Sequence, residues 1–564
     1  MSRDPSTPRR RGRGWRRAAR LLLVLALGVG LAGLWYLDQR ILNLGVAWGP
    51  DLTPIPQTAG SPLGVNLFLE REPDPAKVDQ SLQLAAAGGF QWIRQSFPWY
   101  DIEIAGKGDF MDRRGPGLPH SAWDKYDAIV AAAGRRGLQI MARLDTTPLW
   151  AHPGVINAVG YHKGPPLRDA DFADFAGAVA ARYRGRIATY QIWNEPNLAV
   201  EWAGPADARA YTALLQAGYR AIKAADPAAV VVLGGLAPTV GSGAGGDAND
   251  LQYLQALYDA GARPYFDIAS IMIYGLGYAP AERRVDQRPG DLARVNFSRP
   301  LLTRALMERN GDGAKPIWAS EYGWVSLPPD WPGKPSSWGA SVDEATQAQY
   351  LVDGYRRARA EWPWMGVMFV WHLRDPDPLP REPQPYFAIL RPDFSPRPAY
   401  TALQAYARRF PIADTGAHLL PDPAAPVTTG TTTIKFQGTR LDLVYLPAAA
   451  PIPLHVQWAG PAPADTAGAA ASSILPAGRA PLSDELAPAP GWPAPAGAAL
   501  RRLLLAHNLA DGPHEVTLSG ADALAAVRGF VVSREPALPW AFPAAYALLT
   551  AALAASLVWA VWPR

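Results

Sequence analysis

Residues 189–235 indicate the fold most clearly; they read TYQIWNEPNLAVEWAGPADARAYTALLQAGYRAIKAADPAAVVVLGG. Apolar runs typical of buried parallel strands stand at both of its ends, and residues 206–225 between them carry the periodicity of an amphipathic helix. Parallel strands joined through a helix are the repeating unit of α/β proteins. The stretch therefore predicts two parallel strands with a helix packed on their sheet.

The same alternation extends in both directions. Apolar runs begin at Leu63, Phe90, Leu138, Ile187, Val230, Phe266, Pro316 and Gly366. Segments with helical periodicity alternate with them, at 74–87, 121–136, 169–184, 206–225, 250–261, 300–309, 342–361 and 397–409. Eight strand and helix pairs are typical of a (β/α)8 TIM barrel. We predict this α/β barrel at residues 63–410, after a Pro- and Gly-rich linker at 43–62.

The pattern changes from about residue 413, where short runs such as TTTIKFQG, LDLVYL and HEVTLSG are rich in β-branched or aromatic residues. Turn residues separate these runs, as in all-β domains. We therefore predict a small β-sandwich, jelly-roll-like, at residues 413–536. An Ala- and Pro-rich stretch at 459–498 interrupts it and is expected to be a long disordered loop.

Both ends of the chain carry membrane signals. Residues 1–20 hold eight arginines and one aspartate, and an uncharged apolar run follows at 21–37. This run predicts a transmembrane helix or signal anchor, with a cleaved secretory signal as the alternative. A second uncharged run at 540–562 predicts another transmembrane helix, with a buried Ala-rich helix as the alternative. Arginines at both ends favour a hairpin in which the tail at 1–20 and the C-terminus are cytoplasmic and residues of about 40 to 537 face the outside.

Composition excludes several classes of function. The chain has 49% hydrophobic and 18% charged residues, which is not the balance of a disordered protein. Its basic excess is concentrated in the first 20 residues beside an apolar run, so no nucleic-acid partner is expected. Cysteine is absent, which excludes a thiol nucleophile and a thiolate metal site. No His and carboxylate spacing indicates a metal, and no cofactor is expected.

Two glutamates stand where barrel enzymes place their catalytic groups, at the carboxyl ends of strands. The fourth run ends in Trp-Asn-Glu-Pro-Asn with Glu195, and the seventh in Ala-Ser-Glu-Tyr-Gly-Trp with Glu321. Retaining glycoside hydrolysis needs such a pair, one protonated and one ionised, with the carboxyl groups about 5 to 5.5 Å apart. We therefore expect both carboxylates to face one barrel mouth.

These motifs resemble clan A glycoside hydrolases, and family 39 most closely. The resemblance rests on TYQIWNEPNL, with further pieces in GFQWIRQSFPWYDIE, GLQIMARLDTTPLWA, WASEYGW and VMFVWHL. It implies that Glu195 is the acid/base and Glu321 the nucleophile. One feature departs from the family: Met272, Ile273 and Tyr274 stand where His-Pro-Tyr is usual, so a histidine near the substrate is missing.

Six further residues are expected to bind substrate or support the carboxylates. Asn194 can bond the sugar 2-hydroxyl, and Arg94 can keep the nucleophile ionised. Tyr274 can donate a second hydrogen bond to Glu321, and Trp371 can form an apolar floor for the sugar ring. Trp150 and Trp324 follow strand ends, where flat rings can stack on sugars.

The expected function is that of a membrane-tethered retaining glycoside hydrolase. Its partners would be a carbohydrate substrate, the membrane through both terminal helices, and a polysaccharide export system. The catalytic domain would lie at the cell membrane on the extracytoplasmic side. Two alternatives remain: a non-catalytic glycan-binding or scaffold protein of polysaccharide secretion, and a transglycosylase that uses the same intermediate.

Overall fold

The computed structural model describes residues 11–115, 119–154, 163–241, 246–285, 295–337, 339–379, 381–460, 473–475, 485–486, 491–495 and 498–561. The chain forms two compact units. Residues Gly49–Arg534 form the larger unit, and Met1–Trp48 with Glu535–Arg564 form the smaller one.

The larger unit begins with a barrel of eight parallel strands. These are β1 Leu63–Leu67, β2 Trp92–Pro98, β3 Gln139–Asp145, β4 Thr189–Ile192, β5 Val230–Val232, β6 Ala269–Tyr274, β7 Ile317–Gly323 and β8 Met365–Val370. They pair in the order β5-β4-β3-β2-β1-β8-β7-β6. Parallel bridges from Val232 to Ile268 and from Leu236 to Ile271 close the ring. The structure thus confirms the TIM-barrel-like fold.

A helix follows each strand. The main helices of the barrel are Pro75–Ala87, Asp124–Arg135, Asp169–Tyr183, Ala208–Ala225, Asp250–Asp259, Pro300–Arg309, Glu344–Glu361 and Pro398–Ala407. Side-chain caps explain several of their starts: Asp74, Asp207, Asn249 and Asp343 each accept a hydrogen bond from a backbone amide of the first turn. All eight lie within the predicted helical segments.

The barrel interior changes from apolar to polar along the strands. One buried cluster in the interior is apolar and has Trp92 packed against it. It consists of Met141, Val232, Ile268, Trp318, Val367 and Phe369. Side chains two positions apart on a strand share a face. Arg94 therefore points into the barrel like Trp92, but nearer the carboxyl end of its strand, and Ser320 stands in the same relation to Trp318. A register shift between β6 and β7 then pairs Met272 with Glu321. Such an irregularity re-aims a side chain, here at the mouth.

Two five-stranded antiparallel sheets follow the barrel. Their strands are β9 Gly416–Leu419, β10 Val427–Thr428, β11 Thr431–Gly438, β12 Arg440–Tyr445, β13 Ile452–Trp458, β14 Ser473–Leu475, β15 Glu485–Leu486, β16 Leu500–Ala506, β17 Gly512–Ser519 and β18 Val527–Ser533. The orders are β9-β18-β12-β16-β15 and β10-β11-β17-β13-β14. Ile434 and Phe436 of one sheet share a core with Leu443 and Phe530 of the other, as in a sandwich.

The predicted loop at 459–498 lies mostly outside the described residues. Where it is described, it contains the short strands β14 and β15. Leu475 of β14 is buried in the sandwich core. The disorder of the remaining residues stays a prediction. By contrast, residues 43–62, predicted as a linker, contain no helix or strand.

The smaller unit contains a helix at each end of the chain. The first runs over Arg11–Tyr36 and continues as a π-helical segment at Leu37–Leu42, and the second spans Ala541–Val561. Two segments, Ala18–Leu42 and Ala541–Ala560, are long and apolar enough to cross a membrane. Polar contacts join the helices: Tyr546 Oη donates to Asp38 at 3.2 Å, and the Arg20 guanidinium lies 4.2 Å from the Trp559 ring.

The barrel interior yields a stability prediction at Gly64 on β1. A Cβ added there would lie 2.6 Å from the Phe369 ring inside the barrel, so Gly64→Ala should destabilise the protein by about 1 to 3 kcal/mol. The matched control is Gly134→Ala, on the helix Asp124–Arg135, where a Cβ would meet open space. That change should stabilise by about 0.5 to 1 kcal/mol. Thermal unfolding midpoints measure both, and equal effects would contradict the packing argument.

Candidate active site

Glu321 lies at the carboxyl end of β7 with donors on both oxygens. Arg94 Nη1 donates to its Oε1 at 2.9 Å, and Tyr274 Oη donates to its Oε2 at 2.6 Å. The carboxylate is 5% exposed and Arg94 2%, so this ion pair is shielded from solvent. Charge-assisted bonds of this kind are shorter and stronger than bonds between neutral groups, so they fix the position of the carboxylate. The two helpers predicted for Glu321 are therefore in contact with it.

Arg94 is itself fixed by three amide side chains. Its Nε donates to Gln191 Oε1 at 2.8 Å, its Nη1 to Asn66 Oδ1 at 3.0 Å, and its Nη2 to Asn194 Oδ1 at 2.7 Å. These acceptors stand on β1, on β4 and directly after β4. The guanidinium thus links four strands, because Glu321 is on β7. Sequence reasoning missed Asn66 and Gln191, although each is a polar residue inside an apolar run.

Glu195 is placed by an unusual backbone turn after β4. Trp193 and Glu195 have φ angles of 71° and 41°, in the left-handed region that few non-glycine residues adopt. The Glu195 amide donates to Gly235 O at 3.0 Å, which ties the turn to the end of the neighbouring strand. Strain of this kind is held by its surroundings and is common at functional sites.

Asn194 is linked to Glu195 directly and to Glu321 through Arg94. Its Oδ1 accepts from Arg94, and this bond leaves the Nδ2 group directed at Glu195 Oε2, 3.5 Å away. The amide therefore presents a donor beside the predicted acid/base. A sugar hydroxyl at this position would find both an amide donor and a carboxyl group.

The surroundings of Glu195 favour its protonated form. Burial raises the pKa of Glu195 well above its ordinary value, and the negative charges of Glu201 and Glu321 raise it further. Glu201 is buried on the short helix Ala199–Trp202, where it pairs with Lys163. Burial, followed by the charge of Glu321, likewise raises the pKa of Tyr274 well above its ordinary value, so this phenol stays a donor.

Trp371 and Trp150 belong to different aromatic groups. Trp371 is half-buried directly after β8, where it meets Phe68 edge-on at 5.3 Å and packs against the cluster of Met272 and Tyr274. Trp150 follows β3, where its Nε1 donates to Glu103 O at 2.8 Å and its ring meets Trp99 edge-on. Trp371 is therefore in the group that contains Tyr274, and its role as an apolar floor for the sugar ring stays a prediction.

Trp324 was expected to stack on a sugar, and its burial shows that this expectation is wrong. Its ring is 2% exposed and stacks on Phe297, and its Nε1 donates to Tyr278 O at 2.9 Å. A Cβ on Gly275 would fall 1.8 Å from the same indole nitrogen. Trp324 is thus a packing residue behind the end of β6 and has no face free for a sugar. Its proximity to a strand end misled the prediction, because the ring packs against Phe297 and Tyr322 instead of standing free.

The described residues contain no group of three or more His, Cys, Asp or Glu side chains that could hold a metal ion. The chemistry available at the mouth is that of two carboxyl groups, a phenol, an amide and a guanidinium. This set suits proton transfer and nucleophilic attack.

Comparison with known families agrees with this chemistry. The model of the cellulase family, glycosyl hydrolase family 5, matches residues 58–267, which include Arg94, Asn194 and Glu195. Family 5 is a clan A family, so the match confirms the resemblance to clan A glycoside hydrolases that the sequence motifs indicated. The chain is an enzyme of the glycoside hydrolase class. No curated protein matches it.

Similar solved structures include three family 39 enzymes. The enzyme from the gut symbiont Bacteroides cellulosilyticus WH2 is 17% identical, with 81% of this chain and 80% of that chain covered and a TM-score of 0.47. A β-xylosidase from Caulobacter crescentus is 18% identical (74% and 85% covered, TM-score 0.44). The enzyme from Xanthomonas axonopodis pv. citri is 15% identical (85% and 96% covered, TM-score 0.44). All three scores are below 0.5, so we draw nothing about substrate from them.

The charges around Glu195 predict the pH dependence of activity. Glu201→Gln removes a negative charge, so the pKa of Glu195 should fall. An acid must be protonated to act, so the alkaline limb of kcat/KM should move to lower pH by about one unit. Lys163→Gln removes a positive charge and should move the limb to higher pH. Profiles on an aryl glycoside measure both, and shifts of the same sign would refute the assignment.

Proposed function

We propose that this chain is a membrane-tethered retaining glycoside hydrolase that cleaves O-glycosidic bonds of an extracytoplasmic poly- or oligosaccharide. The observation that carries the proposal is that the two carboxyl groups have different surroundings. Arg94 and Tyr274 hold Glu321 by charge-assisted bonds, whereas burial and negative neighbours favour protonated Glu195. Double displacement needs one carboxyl group that donates a proton and a second that attacks the anomeric carbon.

Each residue then has one task in the reaction. Glu195 gives its proton to the leaving oxygen while a Glu321 oxygen attacks the anomeric carbon, which forms a glycosyl-enzyme ester. In the second step Glu195 takes a proton from water, and the water oxygen attacks the same carbon and releases Glu321. Asn194 Nδ2, which lies 3.5 Å from Glu195 Oε2, would bind the sugar hydroxyl beside this carbon, an interaction that strengthens in the transition state.

The two alternatives differ in what happens to the intermediate. A glycan-binding scaffold would form none, and the hydrogen-bonded network around Glu321 favours the enzyme because binding alone does not need an activated carboxylate. A transglycosylase would pass the intermediate to a sugar hydroxyl instead of water. Product analysis with a labelled acceptor sugar separates transfer from hydrolysis.

The membrane part of the proposal rests on the two terminal helices. Both are apolar over at least 20 residues, and the arginine-rich segment precedes the first. With both termini cytoplasmic, the barrel and the sandwich would face outside, where an exported polysaccharide passes. A polysaccharide export system is the partner that this placement suggests.

Azide rescue tests the roles of the two glutamates. Glu195→Ala removes the acid, yet an aryl glycoside with a good leaving group should still form the intermediate, which then accumulates. Azide needs no general base, so it should restore turnover and give a glycosyl azide of retained configuration. Glu321→Ala should lose turnover and, with azide, give only the inverted product. An inverted azide from Glu195→Ala would exchange the two roles.

Protease protection tests the hairpin. Protease added to spheroplasts should degrade the barrel and spare epitope tags at either end of the chain, because both tags would lie inside. Lysed spheroplasts serve as the control, in which the tags should be digested as well. Digestion of a terminal tag in sealed spheroplasts would rule out a cytoplasmic position for that end.

A further inference from the structure

The β-sandwich contains a cavity of about 710 Å³. Its lining includes Trp458 of β13, His514 and Glu515 of β17, and Lys435 of β11. Arg409 and Ile412, from the segment that joins the barrel to the sandwich, line it as well. The cavity therefore belongs to a part of the chain for which the catalytic mechanism has no use.

One wall of the cavity is aromatic. Trp458 and His514 both pack against buried Phe436, with ring centroids 6.3 Å and 5.2 Å from it. Phe436 fixes the two rings from the core side, and both remain half-exposed. An indole held on one side and accessible on the other is a rigid apolar surface of the kind that stacks on a sugar ring.

The charged groups at the rim balance each other. Lys435 Nζ and Glu515 Oε2 lie 3.9 Å apart, and their side chains are 55% and 44% exposed. Arg409 already donates to Asp414 and Gln437, so its charge is engaged within the protein. A nucleic acid or an acidic polymer would find no excess of positive charge here. An uncharged ligand rich in hydroxyl groups would find donors and acceptors beside the indole.

We propose that this cavity is a second glycan-binding site, separate from the catalytic mouth, that takes a neutral oligosaccharide segment. Its choice of ligand rests on the proposed glycosidase function, because the segment would belong to the polymer that the barrel cleaves. Two sites on one chain raise the effective concentration of a long substrate at the active site, and they leave short substrates unaffected.

Calorimetry on the full-length chain tests the site. The chain is held in lauryldimethylamine oxide, a detergent without a sugar headgroup, and carries Glu321→Gln to prevent turnover. Cellohexaose, xylohexaose and mannohexaose are the probes. At least one should occupy two sites per chain, and Trp458→Ala should reduce this to one. Gln457→Ala, at the adjacent exposed position, is the matched control and should retain two.

A second variant and a kinetic measurement test the same site independently of the binding stoichiometry. Glu515→Ala changes an exposed residue, so it should fold normally, and it should weaken the second site at least threefold. In the chain with intact Glu321, Trp458→Ala should leave kcat/KM on an aryl glycoside unchanged and raise KM for the polymer. Loss of aryl glycoside activity in the wild type would refute the proposed function and leave the binding site standing.

The proposal is overturned by either of two results. One is single-site binding of every hexasaccharide with an unaltered Trp458. The other is two-site binding that neither Trp458→Ala nor Glu515→Ala changes.

Discussion

The buried ion pair between Arg94 and Glu321 is the interaction on which the rest of the mouth depends. Two charges removed from water are costly unless their remaining hydrogen-bonding groups are satisfied. Asn66, Gln191 and Asn194 meet this need by accepting from the guanidinium, and Tyr274 donates to the free carboxylate oxygen. The satisfied pair therefore fixes side chains from five strands or strand ends, and the loss of either charge would leave the other buried and uncompensated.

The same pair also separates the properties of the two glutamates. Glu321 has a cation and a phenol as its neighbours, whereas Glu195 has an amide at 3.5 Å and the negative charge of Glu201 nearby. Residue type cannot distinguish two glutamates, so their environments must do so. Arg94 contributes to both environments, since it binds Glu321 directly and orients Asn194 towards Glu195.

Sequence predicted the barrel well because a buried parallel strand is a continuous apolar run and its helix has a different period. Glu195, Glu321, Arg94 and Tyr274 could be found because they interrupt or end such runs. Asn66 and Gln191 also interrupt such runs, but alternation does not tell which face of a strand buried on both sides points into the barrel, so their contacts with Arg94 were not predicted. Trp324 was placed wrongly for a related reason. The register shift before Glu321 changes side-chain direction, and no sequence period records it.

The proposed mechanism also makes the acidity of Glu195 depend on the state of Glu321. In the free enzyme the charge of Glu321 is one of the causes that raise the pKa of Glu195. Once Glu321 is esterified by the sugar, that charge is gone, so the pKa of Glu195 must fall while burial and Glu201 still act on it. A carboxyl group with a raised pKa stays protonated and can serve as the acid of the first step, and a fall in its pKa favours the base form that the second step requires. The loss of the Glu321 charge thus favours the change of Glu195 from acid to base between the two steps.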